Sequence, residues 1–257
     1  QAMTVDDLRA YFDKWFVAKN ITVGIVGGYG DEKRVLELIK KEFANLIDDD
    51  RKLTEKNKFI WEKSEEIKKK LVSRKVEQAA VVMAFPGLNM NDERRFSLEI
   101  LNIILGDGWT SRLMREIREE RGWAYGIGSG IDLFADAGEV FIGAGLPKDK
   151  LKEAVELIME IAFGLGVKGR WQIKESEVVT AKETFRGRFA LAFDKPEEVL
   201  GSALDDLTFR GKIMTPEEIL EKIKRVKVEE VRELARGLFK KELLSVAVVA
   251  DYKELPF

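Results

Sequence analysis

The sequence predicts an α+β fold, a two-layer arrangement with a sheet and helices packed on one of its faces. Three observations carry this. The β-patterned runs are few and short. Helical runs separate them in groups rather than one by one, which argues against a βαβ repeat. The longest apolar run, Ala79–Pro86, has the length of a strand, far short of the ~18–20 residues that cross a bilayer.

The elements follow in order. Thr4 with Asp6 and Asp7 reads as a helix cap with acids in the first turn, and that helix runs to about Phe16. Ile21–Val26 has a buried-strand pattern, ended by Gly27-Gly28. Asp31 caps a second helix, which runs through Phe43. The stretch from Asp48 to Lys70 is dominated by Asp, Lys and Glu and reads as a linker, with a short strand at Lys58–Trp61 and a polar helix after it. Lys75–Phe85 is a strand stopped by Pro86-Gly87. Asn91 caps a helix to about Leu105, Gly106-Asp107-Gly108 breaks it, and Ser111 caps another to about Arg121. Two strands follow, Ala124–Phe134 and Glu139–Leu146. Lys148–Phe163, 174–192, 196–208, a helix with a capping box at Thr215 to Glu218, and Val228–Phe239 read as helices. Leu244–Ala250 is a closing strand.

Composition excludes several chemistries. The 257 residues contain no histidine and no cysteine. The chain therefore cannot supply a histidine-ligated zinc site, a thiol nucleophile or a Ser-His pair. Its 46 acids fall mostly at helical spacing opposite Lys and Arg, so they do not read as an all-carboxylate metal site. Gly126–Gly130 lies inside a strand pattern and is not a phosphate loop. A net charge of -2 gives no basic excess to displace counterions from nucleic acid. Zero Cys fits a reducing compartment, so a cytoplasmic location is expected. Six Asn and three Gln beside abundant Lys, Glu and Arg suit a protein from a hot environment. No signal-peptide pattern is visible, and Gln1 is not read as a natural start.

The two ends of the chain resemble each other. Thr4–Tyr29 aligns without gaps to Lys227–Tyr252, with six of 26 positions identical, among them Val5/Val228, Phe16/Phe239 and Val23/Val246. The offset of 223 residues suggests two equivalent units of about that length, one almost complete and one represented by its tail. Accordingly, residues 1–49 are expected to be the tail of an upstream half, 50–72 a charged linker and 73–257 a half-domain of its own.

Leu105–Gly130, LGDGWTSRLMREIREERGWAYGIGSG, carries the remaining signal. Physics alone reads its Arg112, Arg115, Arg118 and Arg121 as a solvated helix face. On that reading Arg112–Glu116 and Arg115–Glu119 are i,i+4 pairs, and Tyr125 is a half-buried strand aromatic. Yet Leu105, Gly106, Gly108, Ser111-Arg112-Leu113, Arg118, Gly122, Ala124 and Tyr125 together resemble the inactive-half signature of the pitrilysin/insulinase family of zinc peptidases, which includes the mitochondrial processing peptidases. Glu177, Ala181 and Lys182 fit a further family helix, with Val178 replacing its Leu.

The resemblance implies two homologous halves facing each other like a clamshell. The first carries zinc on an inverted His-x-x-Glu-His motif. The second contributes an Arg and a Tyr, seven positions apart, that hydrogen-bond the substrate backbone. Arg118 and Tyr125 match that pair. The implied function is the substrate-binding, non-catalytic C-terminal portion of a zinc metalloendopeptidase that cleaves peptides in a closed chamber. This portion would be inactive alone, without metal of its own, and zinc is expected in the missing half. The implied partners are that half, on the same polypeptide or a partner subunit, a peptide substrate and a second copy of this chain, with neither nucleic acid nor membrane. The alternatives are a non-catalytic scaffold or assembly subunit of the same family, or an unrelated binding domain.

Overall fold

The computed structural model describes residues 2–46 and 67–257. They group into two compact units, residues 2–46 with 191–214, and 67–190 with 215–257. Residues 191–214 thus group with the N-terminal segment rather than with the elements on either side of them. The strand and helix expected between Lys58 and Lys70 fall largely outside the described residues.

The second unit holds the sheet. Its strands are β1 (Lys68–Ser73), β2 (Gln78–Pro86), β3 (Ile127–Leu133), β4 (Gly138–Pro147) and β5 (Ser245–Ala250), in the order β1-β5-β2-β4-β3. All neighbours are antiparallel except β1 and β5. Alternation decides which face is buried. Ala79, Val81, Met83 and Phe85 of β2, Val140, Ile142 and Leu146 of β4, and Val246 and Val248 of β5 all point into the core. Helices α3 (Arg95–Leu105), α4 (Leu151–Gly164) and α8 (Val228–Leu238) pack together there, with α3 also against β3 and α4 against β4. The opposite face is more open among the described residues, though Phe141, Gly143 and Gly145 of β4 are half-buried there. Its central row runs Gly128, Gly143, Val82, Ala247 and Lys70 across the five strands, and Val82 and Val72 stay exposed. The unit thus has helices on one face of a sheet, as expected.

Helices α5 (Glu175–Phe193) and α7 (Pro216–Arg225) complete the regular elements of this region. The capping box expected at Thr215 forms, with the Glu218 amide donating to Thr215 Oγ1 at 3.2 Å and the Thr215 amide to Glu218 Oε2 at 2.9 Å.

The first unit contains α1 (Val5–Trp15), α2 (Glu32–Glu42), α6 (Pro196–Asp205) and a π-helical turn, Asp206–Arg210. Thr4 and Asp7 form a reciprocal capping box, and Asp31 caps α2 as expected. Gly24 packs against Leu200 and Leu204. Buried Asp206 pairs with Arg210 and accepts the Met214 amide at 2.6 Å.

Three expectations are corrected. Ile21–Val26 is extended but forms no ladder among the described residues, because a strand exists only with a partner and none lies beside it. Lys68–Ser73, expected within the linker and its polar helix, is instead an edge strand. Its lysines are the kind of charge that edges carry against unwanted pairing. The helix expected from Asn91 begins at Arg95. Asn89 and Asp92 accept the amides of Asn91 and Arg94 at 2.9 Å each, holding local turns before the helix starts.

Candidate functional site

The motif region sits at one end of the sheet, between α3 and β3. Gly106 ends α3 where the helix meets the strand. A Cβ there would lie 2.5 Å from the Ser129 amide nitrogen, so only glycine allows this approach. Ser129 Oγ donates to Asn102 Oδ1 of α3 at 2.7 Å and fixes the same junction.

Ser111 opens the next helix, accepting the Met114 amide at 3.4 Å as an N-cap. From Met114 to Glu119 this helix is a π-helix, with the Glu120 amide reaching the Arg115 carbonyl at 2.9 Å. Such turns are rare and often mark functional sites. The π-turn changes which side chains meet. Neither Arg112–Glu116 nor Arg115–Glu119 forms. The buried Glu116 instead pairs with Arg121 five residues on (3.1 Å), with the adjacent Arg115 (3.3 Å) and with Arg170 (3.9 Å). Gly122, in the left-handed region at φ 63°, closes the helix. The Trp123 amide then bonds the Ile117 carbonyl at 2.9 Å. This reversal carries the chain through buried Ala124 to Tyr125 and β3.

Arg112 and Arg118 share this helix and have opposite environments. Arg112 is 4% exposed. Its Nε and Nη2 hold Glu177 Oε1 and Oε2 at 2.8 and 2.6 Å, and its remaining donors reach the Trp171 and Gln172 carbonyls. Burial pushes the Glu177 carboxyl up. The hydrogen bonds from Arg112 and the Lys174 amide, with the charges of both residues, outweigh it and hold the group below its ordinary value. The Arg112–Glu177 pair ties the motif helix to α5 and is structural.

No carboxylate among the described residues pairs with Arg118. Its guanidinium carbon lies 5.0 Å from the centre of the Trp109 ring and 5.4 Å from that of Tyr125, with Met114 Sδ at 3.9 Å from Nη1. Aromatic faces hold a cation without saturating its N–H edge. Tyr125 is 84% exposed and Trp109 70%. The expected half-buried strand aromatic is therefore a solvent-facing phenol just ahead of β3, beside an arginine whose donors remain available. The two sequence-predicted residues are brought together. Trp109 was not singled out by sequence, though its place between Gly108 and Ser111 in the motif is a usable signal.

Nearby, removal from water, with the charge of Asp107 as a second cause, pushes the Glu99 carboxyl of α3 up to about 7. Asp107 itself accepts Arg188 Nη1 at 2.8 Å. The residues present do not fit a zinc site. The chain lacks the usual His and Cys ligands, and among the described residues no three acidic side chains converge.

Comparison with known proteins agrees with the motif. Residues 2–184 match the family described as "Peptidase M16 inactive domain". The chain is 27% identical over 253 residues to an uncharacterized zinc protease of Bacillus subtilis (strain 168), covering 98% of this chain and 59% of that protein. It is 29% identical over 232 residues to one from Mycobacterium tuberculosis (strain CDC 1551 / Oshkosh), covering 90% of this chain and 51% of the relative. Among solved structures, a peptidase M16 inactive domain from Pseudomonas fluorescens superposes with a TM-score of 0.83 at 19% identity, over 98% of this chain and 58% of that one. A Helicobacter pylori protease gives 0.80 at 20% identity, over 97% and 59%. The chain thus spans less than two thirds of these proteins. With more than half its length matched to the inactive-domain family, around the Arg118 and Tyr125 motif, the chain belongs to the peptidase M16 family of zinc peptidases that the motif resembles.

Proposed function

We propose that this chain is the substrate-binding, non-catalytic portion of a zinc-dependent endopeptidase, inactive until it meets a zinc-bearing half. Arg118 and Tyr125 donate hydrogen bonds to backbone carbonyls of the bound peptide. The observation that carries this is the state of Arg118. It is held by π faces, free of any carboxylate among the described residues, and beside an exposed phenol. A purely structural arginine in the same helix, Arg112, has every edge engaged.

The chemistry is direct. A guanidinium N–H and a phenolic O–H are donors that can meet a carbonyl oxygen as negative charge develops on it. The more open face of the sheet, with Gly128, Gly143 and Ala247 in its central row, supports a chamber wall, since a peptide can lie close to it and closure would exclude water. The zinc, which in this reading belongs to the other half, would polarise the carbonyl and activate water.

The partner in this reading is the catalytic half, on the same polypeptide or a separate subunit, with a second copy of the chain as a further partner. Residues 1–49 then belong to that half, the charged segment from residue 50 up to β1 links, and the chain from β1 onward forms the substrate-binding half. The internal repeat supports this division. Buried Val231, Leu234, Phe239, Val246 and Val248 correspond to Leu8, Tyr11, Phe16, Val23 and Ile25, which are exposed. A cytoplasmic setting is part of the same reading, supported by the lack of cysteine.

Tyr125→Phe tests the role with the smallest change, removing one hydroxyl from an exposed ring. In the full-length protein it should lower kcat/KM for an unfolded peptide by about tenfold or more, at unchanged melting temperature. Unchanged turnover would defeat the assigned role.

A further inference from the structure

We propose that Trp109 is a specificity-determining residue, receiving a large apolar side chain of the bound peptide next to the carbonyl held by Arg118 and Tyr125. This rests on the reading of that pair as peptide donors. Trp109 follows Gly108 in the turn after α3, which closes with the Ser111 amide on the Gly108 carbonyl at 3.2 Å. That turn is anchored on both sides, by Gly106 against β3 and by buried Ser111 and Leu113. It therefore presents the indole from a fixed base.

Two observations separate Trp109 from a packing residue. It is the most exposed tryptophan among those described, and an indole with a core role would be buried. It also lies against the guanidinium that faces the peptide, so its free ring surface adjoins the expected path of the backbone. A rigid aromatic with two side-chain torsions gives large contact area at small entropic cost, which is how interface anchors work. The same ring keeps Arg118 oriented without occupying its donors. A side chain next to the bound carbonyl would then meet an indole backed by a cation. Leucine or phenylalanine would gain there, and serine would not.

The test uses the full-length protein and pairs of fluorogenic peptides that differ only in Leu or Ser at the positions flanking the cleaved bond. Trp109→Ala should lower the Leu-over-Ser ratio of kcat/KM by about tenfold, while Trp109→Phe keeps most of it. An unchanged ratio in Trp109→Ala, or an equal loss for both peptides, would overturn the inference. Tyr125→Phe is measured alongside. If it loses turnover while the Trp109→Ala ratio holds, the inference alone fails. If Tyr125→Phe changes nothing, the reading beneath it fails too.

Discussion

The same helix-and-strand pattern occurs twice in this chain, and its two copies differ in what covers them. In the C-terminal copy, α8 and β5 lie in the core. Val231, Leu234, Leu238, Phe239, Val246 and Val248 are all buried, and β5 runs between β1 and β2. In the N-terminal copy the corresponding Leu8, Tyr11, Phe16, Val23 and Ile25 are exposed and Trp15 is half-buried, and residues 21–26 are extended without a ladder among the described residues. Phe239 is 4% exposed and its counterpart Phe16 48%. The periodicity of a sequence specifies which face of an element is apolar. It does not supply the surface that face must meet. Here one copy packs with β1, β2, α3 and α4, while most apolar side chains of the other stay exposed among the described residues.

The comparison can be broken at one of its identical pairs, Phe16 and Phe239. Phe239→Ala should cost about 3–5 kcal/mol, since its ring is buried and meets Phe85 edge-on at 5.0 Å. Phe16→Ala in this chain should cost well under about 1 kcal/mol, because its ring is 48% exposed and, among the described residues, stacks on Phe12. Denaturant titration of both variants checks this. Equal losses would mean that the N-terminal copy is already buried in solution.

A smaller effect belongs to the satisfied copy alone. Glu99 lies on α3, the helix that α8 packs against, and its carboxyl is pushed up to about 7 from an ordinary 4.5. The folded state therefore holds this proton more tightly than the unfolded chain does. Its contribution to stability is greatest below pH 4.5, falls as pH rises to about 7, and is level above that. The loss over that window is at most about 3 kcal/mol. Glu99→Gln should flatten this part of the stability profile. A slope that survives the substitution would assign it to another group.

Much of the fold was legible because its causes are local. The caps at Thr4, Asp31 and Thr215 act within three residues, and the alternation of β2 names its buried face directly. What was missed has nonlocal causes. β1 reads as linker because a lysine-rich edge strand shows no apolar alternation. The strand pattern at 21–26 is real, but pairing depends on residues elsewhere. At the candidate site, Arg118 and Tyr125 are singled out only by a motif, while periodicity alone reads them as ordinary surface and sheet residues. The Arg112–Glu177 clamp joins residues 65 positions apart, and the π-turn that displaces the i,i+4 pairs leaves no simple trace in composition.

Two arginines six positions apart on that one helix give the most direct test of the central claim. Arg112→Ala and Arg118→Ala are compared in the full-length protein for melting temperature and for kcat/KM on an unfolded peptide. Arg112→Ala should lose stability, by about 3 kcal/mol, because Glu177 is left partly buried and unpaired. Arg118→Ala should keep its melting temperature and lose about a hundredfold in kcat/KM. An Arg118→Ala variant that turns over peptide as the parent does would contradict the account.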